Sequence, residues 1–73
     1  MTKGWDGVSP ELREMIERSC TKRQIEALKL KHAGYSLRRI GVILEIDEAA
    51  VRGLLFRAAR RLQAEVAALR GIV

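Results

Sequence analysis

Leu37-Arg38-Arg39-Ile40-Gly41-Val42-Ile43-Leu44-Glu45-Ile46-Asp47-Glu48-Ala49-Ala50-Val51-Arg52-Gly53-Leu54 carries the architecture of this chain. Leu37, Ile40, Gly41 and Leu44 recur at the spacing of one helix face, and Val42 and Ile43 add apolar bulk. Ser36 stands where an N-cap hydroxyl belongs. Glu45-Ile46-Asp47 interrupts the pattern for three residues. Asp47 then suits a second N-cap, Glu48 suits the positive end of the next helix, and Val51 and Leu54 begin a new apolar stripe. Two helices joined by so short a break have the spacing of a helix-turn-helix. Ile40, Leu44, Ile46, Val51 and Leu54 are expected to face the core. Gly41 is expected where the second helix crosses closely, with Arg38, Arg39, Arg52 and Arg57 outside.

Upstream, Thr21-Lys22-Arg23-Gln24 has the pattern of a capping box, a hydroxyl cap with a glutamine three residues later. Ile25, Leu28 and His32 follow on one face, Ala27 and Leu30 widen it, and Gly34 supplies a C-terminal stop. Earlier still, Ser9-Pro10-Glu11 reads as a helix start, followed by Leu12, Met15 and Ile16 at helical spacing. Downstream, Val51, Leu54, Leu55, Ala58, Leu62, Val66 and Leu69 keep a three-to-four spacing, with no breaker but Gly53 before Gly71. The expectation is an all-α fold: a small bundle of four helices near 10–19, 22–33, 37–44 and 48–69, the last one long. Residues 1–8, with two glycines and no period, are expected to form a flexible N-terminal arm in which Trp5 docks or stays exposed. Residues 9–73 then form one helix-turn-helix domain.

The 73 residues carry 14 Lys and Arg against 9 Asp and Glu, a net charge of +5. Residues 21–61 hold ten of the basic groups (Lys22, Arg23, Lys29, Lys31, Arg38, Arg39, Arg52, Arg57, Arg60 and Arg61) and four acidic ones, an excess of six. A cationic segment flanked by balanced ones suggests a polyanionic partner. Cys20, the only cysteine, rules out an internal disulfide and reads as a small core residue. One His and one Cys do not make a zinc site, so neither a metal nor another cofactor is expected. No run approaches a membrane span, and a cytoplasmic protein is expected. No paired carboxylates, nucleophile with its base, or phosphate-binding glycine loop points to an enzyme.

The stretch 21–62 resembles region four of bacterial sigma factors and, less closely, the LuxR-type helix-turn-helix. The residues that carry the resemblance are Thr21, Arg23 and Gln24; Leu28, Leu30 and Lys31; Gly34-Tyr35-Ser36; Ile40-Gly41 and Leu44; Val51-Arg52; and Phe56-Arg57-Ala58 with Arg60-Arg61-Leu62. Two positions depart from that family: Glu45 stands where the turn usually has glycine, and Asp47 where the cap is usually Ser or Thr. The resemblance implies a sequence-specific transcription regulator that binds double-stranded DNA, free-standing and of bacterial, phage or mobile-element origin. Nothing in the chain resembles the promoter-melting or core-binding regions of a sigma factor.

Under that reading the DNA-binding residues are Arg38, Arg39, Glu48, Ala49, Arg52, Arg57, Arg60 and Arg61. Arg52, just past the buried Val51 in the first turns of the recognition helix, is the expected base reader, and Ala49 or Ala50 touches a thymine methyl. Arg38, Arg39, Arg57, Arg60 and Arg61 are expected to meet phosphates. The competing structural role for Arg52 is an ion pair with Glu48, four residues earlier. Val66 and Leu69 lie beyond the helix-turn-helix and point to a homodimer through the C-terminal helix, or to packing on the first helix within one monomer. The alternative function is a degenerate helix-turn-helix that docks on RNA polymerase or another regulator, for which acidic Asp47-Glu48 beside Ala49-Ala50 is suited.

Overall fold

The structure, a computed structural model, describes Trp5 and residues 7–72, the side chain of Ile72 excepted. The expected arm therefore lies largely outside the described residues. Four helices follow in order: α1 (Pro10–Ser19), α2 (Lys22–His32), α3 (Leu37–Leu44) and α4 (Glu48–Ile72). Among the described residues there is no strand. The helices begin as anticipated; α2 ends one residue early, and α4 runs three residues beyond Leu69, through Gly71. A glycine inside a helix costs only about 1 kcal/mol relative to alanine, too little to halt a helix without another stop signal.

Each start has a chemical cause. The Ser9 hydroxyl accepts from the Leu12 amide at 3.2 Å, and Pro10 fills a position where no amide is needed. Thr21 and Gln24 close the capping box in both directions, at 3.2 and 3.0 Å, with the Gln24 side chain buried. Ser36 accepts from the Arg39 amide at 3.1 Å and Asp47 from the Ala50 amide at 2.7 Å.

The ends of α2 and α3 use the same device. Gly34, at φ 102°, lets its own amide reach Lys31 and the Tyr35 amide reach the Leu30 carbonyl, at 3.0 and 3.1 Å. In α3 the left-handed residue is Glu45, at φ 59° and ψ 43°. Its amide reaches the Val42 carbonyl at 3.3 Å, and the Ile46 amide reaches the Gly41 carbonyl at 2.9 Å. Both pairs form Schellman caps, and α3 makes its cap without glycine's conformational freedom.

Two small apolar clusters hold the helices, and α4 belongs to both. Ala27, Ile40, Leu44 and Val51 form the first, with Leu37, Ile46 and Leu54 packed against it. Ile16, Cys20 and Ala58 form the second, with Trp5, Ile25, Leu28 and Leu62 around them. Ala27 and Ala58 are fully buried, and residues this small let helix backbones approach closely. Cys20 is the core residue expected of it, and burial pushes its thiol upward against the lowering effect of Arg61, which keeps it protonated and unreactive. His32, expected on the inner face of α2, is exposed near its end. Val42 and Ile43, the apolar bulk beside the buried stripe of α3, sit on its outside, 65% and 44% exposed. The apolar face of α3 is narrow because Leu37, Ile40, Gly41 and Leu44 already fill it.

Gly41 is the tightest point. A Cβ there would stand 2.7 Å from the Ile46 carbonyl oxygen and 3.6 Å from a Val51 methyl. The oxygen belongs to backbone, so it cannot rotate away. Gly41→Ala is expected to cost about 2 kcal/mol, read as a fall in the urea midpoint at unchanged slope. Glu45→Gly should do the reverse, raising stability by about 1 kcal/mol because the left-handed strain of a residue with a Cβ is removed.

Candidate nucleic-acid interface

The turn between α3 and α4 determines how α4 meets the solvent. Arg23, at the start of α2, donates from Nη2 to the Leu44 carbonyl at 3.1 Å and satisfies a terminal carbonyl of α3. Together with the Ile46–Gly41 hydrogen bond and the buried Val51, this ties the first turn of α4 to both preceding helices. The opposite side of α4 is left bare. At 100° per residue, Ala49, Arg52, Gly53, Phe56 and Arg60 fall on one face, away from the buried Val51 and Ala58. All five are exposed except the half-buried Gly53.

The expected site residues divide by environment. Arg38 and Arg39 are exposed at the start of α3, whose first turn has no acidic residue, and no carboxylate among the described residues pairs with either. Glu48, Ala49 and Arg52 lie together at the front of α4, where Arg52 Nη2 and Glu48 Oε2 are 2.7 Å apart. Their side chains are 64% and 43% exposed, so the pair contributes only about 0.3–0.5 kcal/mol and opens readily. The Arg57 guanidinium lies alongside Gly53: a Cβ on that glycine would find Nη1 and Nη2 at 3.8 Å. Arg23 and Arg57 line a shallow groove with the small Ala49, Ala50 and Gly53.

Arg60 and Arg61 part company. Arg60 stacks over the Phe56 ring at 5.9 Å, on the exposed face. Arg61 turns the other way and donates to the Ser19 carbonyl at the end of α1, at 3.0 Å. That bond and the Arg18–Glu65 ion pair, at 2.7 Å, brace α1 against α4. The tail of α4 thus packs partly on α1, while Val66 and Leu69 stay 39% and 49% exposed. Trp5 docks on the second cluster with the Lys29 ammonium 5.3 Å from its ring centre.

Sequence reasoning missed Phe56 as a surface residue; it is 63% exposed. The helical wheel carried the signal, since Phe56 lies between Arg52 and Arg60 and opposite the Val51–Ala58 stripe. The Arg23–Leu44 and Arg61–Ser19 bonds had no signal in the sequence, because each joins residues more than twenty positions apart. Among the described residues there is no group of His, Cys, Asp and Glu able to hold a metal, and no helix is long and apolar enough to cross a membrane. Comparison with known proteins finds no matching family model, curated protein or solved structure.

Two variants separate structural arginine contacts from surface ones. Arg23→Ala should lower stability by about 1 kcal/mol through the lost cap on Leu44. Glu48→Gln should change it by no more than about 0.5 kcal/mol, although it abolishes the ion pair with Arg52. Urea denaturation of each variant beside the parent chain measures both.

Proposed function

We propose that this chain is a sequence-specific DNA-binding regulator that lays the exposed face of α4 in the major groove. The observation that carries the reading is the combination at α4: a helix anchored through its first turn by Gly41, Ile46 and Arg23, with an outer face of small and cationic residues. An α-helix fits the B-DNA major groove, and a small residue such as Ala49 or Gly53 lets the backbone approach the bases. Arg52 is the candidate for a bidentate contact to guanine, once the weak pair with Glu48 opens. Arg38 and Arg39 stand at the positive end of α3, where the helix dipole and two guanidinium groups favour a phosphate. Arg57 and Arg60 extend the same cationic surface. Arg61, engaged with Ser19, is the weakest member of the expected set.

Val66 and Leu69 support a homodimer through the end of α4, which would pair two half-sites on the DNA. A protein-docking module is the second reading, favoured by exposed Val42 and Ile43 on α3.

The logarithm of the affinity for random-sequence duplex should fall linearly with the logarithm of salt, since each neutralised phosphate adds about 0.9 to the slope. The double substitution Arg38→Ala with Arg39→Ala is expected to reduce that slope by about two units and to weaken all sequences alike. Arg52→Ala should instead cost about 1–3 kcal/mol on the preferred site and relax selection at one base pair. Fluorescence anisotropy across a salt series measures both. Salt-insensitive binding that requires a protein partner would establish the docking reading in its place.

A further inference from the structure

We infer that Phe56 reads a thymine, packing its ring on the C5 methyl group in the major groove. This rests on the DNA-binding role proposed above and adds to it the base chemistry that α4 selects.

Phe56 is 63% exposed in the middle of a helix whose other side has ample apolar surface to bury. It falls on the face defined by Ala49, Arg52 and Gly53, one turn beyond Arg52, at the depth where a recognition helix still lies against base edges. A phenylalanine so placed belongs to neither apolar cluster. The contact shown for it is the Arg60 guanidinium, 5.9 Å from the ring centre. That stacking orients the ring from its C-terminal side, and cation–π contacts at exposed sites contribute only weakly.

The neighbours of the ring identify what covers it. Arg52 precedes Phe56 by four residues, Arg60 follows by four and Arg57 adjoins it, so three cations flank the ring along α4, of which Arg52 is held by Glu48 in the weak exposed pair. A matching surface has one apolar spot inside dense negative charge. A thymine methyl in the major groove is such a spot: it is the only apolar group the bases present there, and rows of phosphates lie on either side. An apolar protein pocket would accept the ring but would leave the Arg57 and Arg60 guanidinium groups desolvated beside it, without a carboxylate partner among the described residues.

The test uses the full chain and a duplex selected by it from random DNA. Each thymine is replaced in turn by deoxyuridine, which removes the methyl and leaves the base pair intact. One replacement should weaken binding about fourfold, the effect of losing one buried methyl. Phe56→Ala should weaken binding to the thymine duplex and become indifferent to that replacement, with unchanged helical circular dichroism because the residue is exposed. The inference is overturned if Phe56→Ala binds the thymine duplex as the parent does, if no deoxyuridine duplex differs from its parent, or if the variant's loss of affinity traces to a dissociated dimer in sedimentation. Salt-dependent binding with no methyl effect removes only this inference. Absence of salt-dependent DNA binding removes the functional reading beneath it as well.

Discussion

The approach of the Ile46 carbonyl to Gly41 sets the geometry on which everything downstream depends. With no side chain at 41, the chain leaving α3 folds back over its own last turn, and the Ile46 amide bonds to the Gly41 carbonyl. That places Ile46 against the first cluster and delivers Asp47 to cap α4. Val51 is then buried one turn later, and the direction of α4 is determined. Any residue larger than glycine would push the turn outward and rotate the exposed face of α4 with it.

The remainder of the molecule is arranged to keep that turn still. A chain of this size buries a modest fraction of its surface, and here it divides that burial between two clusters. α4 runs through both, with a fully buried residue in each, and α2 lines both as well. At 25 residues it spans about 37 Å, so the braces at its far part, Arg18–Glu65 and Arg61–Ser19, also steady the end that faces solvent. Part of the cationic excess is therefore structural: Arg23 and Arg61 act as hydrogen-bond donors to helix-terminal carbonyls.

The cationic surface that takes no part in holding the fold is more restricted than the net charge suggests. Arg38, Arg39, Arg52, Arg57 and Arg60 are exposed on α3 and α4, with Phe56 among the last three. A surface meant only to keep the protein in solution would have no use for an uncovered aromatic ring at its centre. The pairing of that ring with flanking guanidinium groups favours a surface both anionic and locally apolar, as a base-pair edge between phosphates is.

The helices were legible in the sequence because their causes are local. Ser9, Thr21, Ser36 and Asp47 cap amides three residues away, Gly34 ends α2 through its own conformation, and apolar spacing reports which face turns inward. That only a small residue fits at Gly41 was legible, but its tightest neighbour is the Ile46 carbonyl of the turn, and the following helix comes no nearer than the Val51 methyl at 3.6 Å. The exposure of His32 was not legible, because helical spacing shows that a face can be buried, and only packing shows whether another helix arrives to cover it. The site divides in the same way. That Arg52 and Ala49 lie on the outside of α4 followed from periodicity, but that Arg23 closes α3, that Arg61 turns back to α1 and that Phe56 remains uncovered depended on the docking of helices distant in the chain. Periodicity and capping act within one or two turns, so sequence alone determined the elements and their faces. Which cations are engaged in holding the fold and which remain on its surface was decided only by the tertiary structure, because those contacts join residues brought together by the packing itself.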